Sequence, residues 1–343
     1  MPASAVDVVR PAMDHTVRQL FKPFRLGQWI RLAFTGLLAG ELGTSGGCSF
    51  QLPWRPSSRP QQFLAQGVPA RNLLVAVGVA MLVVVGLALL VALIYVSSRM
   101  RFVLFDSVIA KECHIGRFWR ARSVPAFRYF VFQLFLLASI VGGLAFFASI
   151  TAIIAFGTGW FRNPGQHVLP IIVIAAVLIL LVATFFITAF AISILTKDFV
   201  VPQMALEQVG VVEGWQRLWL MLLSEKGGYA AYIGLKIVLT IAAAIAVGIA
   251  AFVFVLALLI PFGLVALAFV LSARAIGIGW NLLTISVAIL AGCIVLAALI
   301  FGVLLISVPT VVFFPAYSIY FFAARFPALS TVVYPSTPPP EPV

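Results

Sequence analysis

Five stretches of this chain contain no Asp, Glu, Lys or Arg: Asn72 to Ser98, Tyr129 to Phe161, Asn163 to Thr196, Ile237 to Ala273 and Ala275 to Ala324. The shortest has 27 residues and the longest 50, and together they make up over half of the 343. Each exceeds the roughly 20 residues that an α-helix needs to cross about 30 Å of hydrocarbon. The expected class is therefore an all-α, multi-pass membrane protein. Composition agrees, because 9% of the residues are charged against about 25% in an ordinary soluble domain. A soluble enzyme is excluded.

Hydrophobic runs and turn residues divide the chain into a basic leader at 1–25, six membrane helices at 26–42, 72–96, 129–156, 168–195, 230–259 and 280–307, and a tail at 327–343. The first helix is short, with Arg31 near its start and Glu41 near its end, and it spans only if both charges snorkel. Gly43 to Ala70 and Gly157 to His167, the latter containing Asn163-Pro164-Gly165, read as external connections. The apolar run Tyr229 to Ala273 is long enough for one crossing or two. Two crossings with a turn at Pro261-Phe262-Gly263 compete with one crossing followed by a re-entrant or interfacial piece at 260–279, and one crossing is preferred because the internal repeat of the chain requires it. Further interfacial or re-entrant segments are expected at 101–122, 198–221 and 309–324. The tail is rich in proline and is expected to be disordered.

The 22 basic residues outnumber the 10 acidic ones. They are placed unevenly. Seventeen precede or open the first helix, lie between Arg99 and Arg128, follow the fourth apolar segment up to Lys236, or follow the last, and only Arg55, Arg59, Arg71, Arg162 and Arg274 fall on the other side. The positive-inside rule then puts both termini in the cytoplasm. Such a balance points to anionic lipid headgroups, at about 1 kcal/mol per well-placed residue. Nucleic acid is not the expected partner, since no recognition motif accompanies the charge. Arg25, Arg31, Arg99, Arg101, Arg117, Arg120 and Arg122, with Trp119, Trp215 and Trp219, are the candidate headgroup or interface contacts.

A repeated order of elements underlies this layout. Arg101-Phe102-Val103-Leu104-Phe105-Asp106 follows helix two, Asp198-Phe199-Val200-Val201-Pro202-Gln203 follows helix four, and Val312-Phe313-Phe314-Pro315-Ala316 follows helix six. Ile115 to Arg120 before helix three resembles Val212 to Trp219 before helix five, and Phe24 to Arg31 resembles both. Three hairpins of one kind are the expected architecture. The competing explanation is that aromatic and basic residues gather at any membrane interface.

Catalytic chemistry finds little support. His15, His114 and His167 fall on two sides of the expected membrane and cannot share one ion. Neither a phosphate-cradling glycine loop nor Gly-x-Ser-x-Gly is present. No cofactor is expected. Cys48, Cys113 and Cys293 are placed too far apart for a disulfide; a basic leader and Cys48 after Ser45-Gly46-Gly47 faintly resemble a lipoprotein signal, but cleavage is not the preferred reading. Charges at membrane depth are the default candidates for function, and here they are Glu41, Lys236 and Arg274 as well as Arg31, with snorkelling to an interface as the plainer explanation. Asp106 and Asp198 occupy related places in the repeats and are expected to pair with nearby Arg or backbone N–H groups, pinning bent interfacial helices.

In the pattern of its aromatic and basic connections, Phe102 to Trp119 and Phe199 to Trp219, the chain resembles uncharacterised bacterial six-helix membrane proteins, which are similar to the membrane domain fused to some glycerophosphoryl diester phosphodiesterases. The resemblance spans most of residues 15 to 325. It implies a six-helix fold in the bacterial inner membrane, and it carries over no activity, because the phosphodiesterase catalytic domain with its acidic metal ligands has no counterpart here. The expected function is a non-enzymatic accessory or scaffold subunit, or a lipid-organising protein, with membrane lipids and other membrane subunits as partners. A transporter or channel for a lipid or small apolar solute is the alternative.

Overall fold

The computed structural model describes residues 4–41, 70–157, 168–276 and 281–334, and among them every regular element is helical. In chain order these are α1 (Val9–Phe21), α2 (Leu26–Leu38), α3 (Ala70–Ala110), α4 (Ile115–Ala121), α5 (Ser123–Gly157), α6 (Val168–Leu195), α7 (Val201–Glu207), α8 (Val211–Ser224), α9 (Lys226–Ala275), α10 (Leu282–Ile306), α11 (Val308–Ala323) and α12 (Pro327–Val333). A single π-helical turn, Thr196–Val200, joins α6 to α7.

Five helices are long and apolar enough to cross a membrane, over Val75–Ala110, Ser123–Ile154, Ile172–Glu207, Lys226–Ala275 and Thr284–Ala323. That is one fewer than expected among the described residues. The difference is the first segment: α2 has 13 residues, about 20 Å of helix against about 30 Å of hydrocarbon. Residues 42–69, which include Cys48 and the expected loop from Gly43, lie outside the described residues, as do residues 158–167 of the expected external connection and the tail from 335.

Tyr229 to Ala273 forms one helix and neither of the broken alternatives. α9 runs without interruption through Pro261 for 50 residues. Proline removes one backbone hydrogen bond and tends to kink a helix, yet its neighbours here are Leu, Ile, Phe and Val, and in an apolar environment the remaining backbone groups have no partners better than their own turn. The expected re-entrant piece at 260–279 is therefore helical as far as Ala275.

Packing is concentrated at one end. α1 buries Ala12, His15, Thr16, Gln19 and Leu20, a spacing of three and four that gives one inward face. That face lies on α11, where thirteen of the sixteen residues are buried. The 309–324 segment, expected at the interface, is thus the central element of the core. α2 approaches α11 so closely that a Cβ at Gly36 would collide with Val311 Cγ1. The end of α3 adds Phe102, Val103, Leu104 and Phe105, and α7 with its π turn adds Phe199, Val200, Val201 and Met204. The three aromatic clusters that recur in the sequence therefore meet in one core. α12 closes it with Leu329, which is fully buried, so the tail is ordered helix at least to Val333 and not disordered from Pro327.

The long helices touch in pairs, α3 with α5, α5 with α6 and α9 with α10. Small residues set the closest approaches. A Cβ at Gly302 of α10 would collide with the ring of Phe254 on α9. In the most apolar eighteen residues of each of the five long helices, none is buried inside the chain.

Candidate functional site: a buried charge cluster

The π turn is where the site begins. An extra residue per turn changes the direction of the side chains that follow, and such turns recur at functional sites. Here Thr196 is held by its hydroxyl, which donates to Ile192 O at 2.7 Å and accepts from Trp215 Nε1 at 2.9 Å. The next two residues, Lys197 and Asp198, both turn inward. Lys197 Nζ donates to Glu41 Oε2, just beyond the C-terminus of α2, and Asp198 Oδ2 accepts from Lys236 Nζ on α9. Tyr232, one turn before Lys236, donates to the same Asp198 oxygen at 3.1 Å.

Arg101 on α3 completes the cluster. Its Nη1 donates to Tyr129 OH of α5 at 2.7 Å and its Nη2 to Ala39 O at 2.9 Å. The Glu41 and Asp198 side chains are 4% and 3% exposed, and Lys197 and Lys236 are 16% and 14%; these are charges withdrawn from solvent, which persist only when paired. For Glu41, burial alone would push the carboxyl up. The Lys197 ammonium and the Arg101 guanidinium outweigh burial and hold it below its ordinary value. A cavity of about 30 Å³ lies beside the cluster, bordered by Glu41, Arg101, Lys197 and Asp198 and by Pro202 and Pro315. It has room for a water or two.

An aromatic wall supports the cluster. Phe199 meets Tyr229, Tyr232, Phe321 and Phe322 with ring centroids 5.1 to 6.0 Å apart, and Tyr232 stacks on Tyr317 at 5.1 Å. Two further ion pairs flank it. Arg325 holds Glu225 through both terminal contacts, 2.8 and 2.7 Å, and lies 3.9 Å over the Phe321 ring. Arg122 holds Asp106 at 3.1 Å and donates to Ala205 O.

The residues singled out in the sequence divide sharply. Glu41, Arg101, Asp198 and Lys236 come together in the cluster, so Glu41 and Lys236 are buried partners and do not snorkel. Asp106 meets an arginine, Arg122, whereas Asp198 meets a lysine and a tyrosine. Arg99 is tied down between Tyr95 and Trp119, donating to Trp119 O at 2.9 Å, and Trp215 bonds Thr196, so these are interior contacts. Arg25, Arg31, Arg117, Arg120 and Trp219 are exposed, and Arg31 reaches Cys113 O at 3.4 Å. Arg274 is exposed at the far end of α9, apart from the others. Lys197, Tyr129 and Tyr232 were not singled out. Lys197 had a signal, as the first charge after an uninterrupted 34-residue apolar stretch, with an aspartate beside it.

Histidine 15 belongs to the core as well. Its Nε2–H donates to Val108 O at 3.0 Å, and Nδ1 faces Tyr320 OH at 3.1 Å. Burial, with a lesser contribution from the Lys111 charge, lowers its pKa below the ordinary histidine value. Cys113 is a buried free thiol and Cys293 an exposed one. Among the described residues no three His, Cys, Asp or Glu side chains gather where they could share a metal ion.

A family model matches residues 3–332 and so takes in every element described above except the last residue of α12. The chain belongs to the Family of unknown function (DUF7544). No curated protein and no solved structure matches it.

Proposed function

We propose that this chain is a non-enzymatic, multi-pass protein of the bacterial cytoplasmic membrane that works by lateral association, as an accessory or scaffold subunit of a membrane complex or as an organiser of lipids. One observation carries the reading: the most apolar eighteen-residue stretch of each of the five long helices is left unburied within the chain. In lipid, such faces gain nothing from hiding from solvent, so they are available to whatever packs best against them, lipid tails or another helix. The packed end then acts as a rigid base that sets the spacing of those helices. The distribution of basic residues orients that base and both termini toward the cytoplasm. The recurring aromatic clusters fit three related hairpins that share this base, α2 counting as the short arm of the first.

Transport of a lipid or small apolar solute is the rival, and the cavity bordered by Pro202 and Pro315 is the observation on its side. At about 30 Å³ it admits water and not a lipid. Mild extraction of the protein from its native membranes, with the size of the particle measured directly, tests the reading. A particle larger than one chain with its annulus of lipid is expected. A chain that always runs alone and monodisperse would remove the accessory-subunit reading.

A further inference from the structure

We propose that the cavity beside the π turn is an oxyanion site that takes one phosphate group, as a lipid headgroup or as free phosphate. Arg101 and Lys197 border it together with two carboxylates, Glu41 and Asp198, and a third cation, Lys236, stands behind Asp198 as its ion-pair partner. Each carboxylate already holds a lysine. Arg101 is the surplus charge, and its two bonded nitrogens meet only neutral acceptors, the Tyr129 hydroxyl and the Ala39 carbonyl. Its Nε is buried with no hydrogen-bond partner among the described residues. Glu41 and Asp198 attract the Arg101 guanidinium, but its hydrogen bonds go to neutral acceptors. A guanidinium withdrawn from solvent and bonded in this way is costly at the edge of a membrane, and a planar arginine N–H fork matches a phosphate oxygen pair better than it matches a monatomic anion.

The position of the site fits the same chemistry. It lies at the basic end of the helices, at the foot of the long apolar faces of α3, α6 and α9. Phosphate is the anion most concentrated at that depth of a bilayer. The cavity is small, so it would accept the anionic oxygens while the rest of the headgroup stays outside. Lys197 is placed by Glu41 and Lys236 by Asp198, so the two carboxylates orient donors and are not left facing the anion unpaired. The inference rests on the membrane reading and not on lateral association: a chain that runs alone in native membranes would leave it standing.

The test uses the full chain in detergent micelles, titrated separately with phosphatidylglycerol, with diacylglycerol and with inorganic phosphate, and followed by thermal shift and native mass spectrometry. Saturable protection by one equivalent of a phosphate-bearing ligand is expected, with none from diacylglycerol. Protection by phosphatidylglycerol alone identifies the lipid as the source, and equal protection by inorganic phosphate identifies the free ion; both support the site. Arg101→Gln should weaken binding at least about tenfold. If that variant does not fold, Arg101→Lys, which keeps the charge and loses the Nε–H, should weaken it several-fold. The site is overturned if neither phosphate source protects the wild-type chain, if diacylglycerol protects as well as phosphatidylglycerol, or if the arginine variant binds as tightly as wild type.

Discussion

The basic end of the molecule and the spanning stretches are built from different residues and held by different forces. At the basic end Phe, Tyr and Val side chains from α3, the π turn, α7, α9 and α11 bury one another, and ion pairs join elements more than 100 residues apart in the chain, as Glu41 does with Lys197. In the spans, Ala, Val, Leu and Ile line helices that touch a neighbour at a few small residues. The first arrangement depends on burial of aromatic area and on satisfied polar groups. The second depends on each helix closing its own hydrogen bonds. The contrast teaches that tertiary structure in this chain resides at one end, and that the spans inherit their positions from it.

The sharpest way to break this contrast is to empty the centre of the core. Phe199→Ala removes a fully buried ring that four others touch and should cost about 4 kcal/mol, seen as a large drop in the melting temperature of the detergent-solubilised chain. Asp198→Asn tests the charges. It leaves Lys236 buried without its counter-charge and should cost about 3 kcal/mol; a melting profile identical to wild type would mean that the pair contributes nothing. Reversing the approach, Gly36→Leu would drive a side chain into Val311 and should destabilise by about 2 kcal/mol, in a helix too short to matter if spans carried the fold.

Acidification gives a smaller effect with a definite sign. His15 binds a proton less readily when folded than when unfolded. Its contribution is therefore complete above about pH 6.5, where both states are neutral, and is lost as the pH falls below that value, where the unfolded chain takes up the proton first. Denaturation midpoints should decline between about pH 7 and pH 5, and the decline should shrink in His15→Gln. Smallest of all, Leu87→Ala, at a site 61% exposed within α3, should change stability by less than about 0.5 kcal/mol. A loss comparable to that of Phe199→Ala would place hidden packing in the spans and contradict the contrast.

How much of this could be read from the residues follows the same division. The long apolar helices were legible, because their length and lack of charge leave a chain few choices in a membrane. The aromatic clusters after α3 and α6 and within α11 were legible as elements, but not as one core. Their order along the chain carries no information on the hundred-residue contacts that bring Phe199 to Phe321. Glu41 and Lys236 stood out as charges in apolar surroundings, yet snorkelling looked sufficient, because a helix end always lies within reach of an interface. Only the π turn, which turns Lys197 and Asp198 inward together, pairs each with a partner. Pro261 misled for a local reason: a proline that would stop a helix in water is accommodated in one whose remaining backbone bonds have no competitor.

The natural thiol in the core offers the most direct test of a single packed end. Cys113 is 4% exposed and lies 3.8 Å from the Thr35 hydroxyl. In a chain whose other two cysteines are replaced by serine, its labelling by N-ethylmaleimide can be timed across a denaturant series while far-ultraviolet circular dichroism follows the helices. The expected result is labelling slowed by at least about a thousandfold under native conditions, rising in one cooperative step while most helicity persists. Labelling at the unfolded rate without denaturant, or a rise only when the long helices themselves melt, would contradict a core that stands apart from the spans.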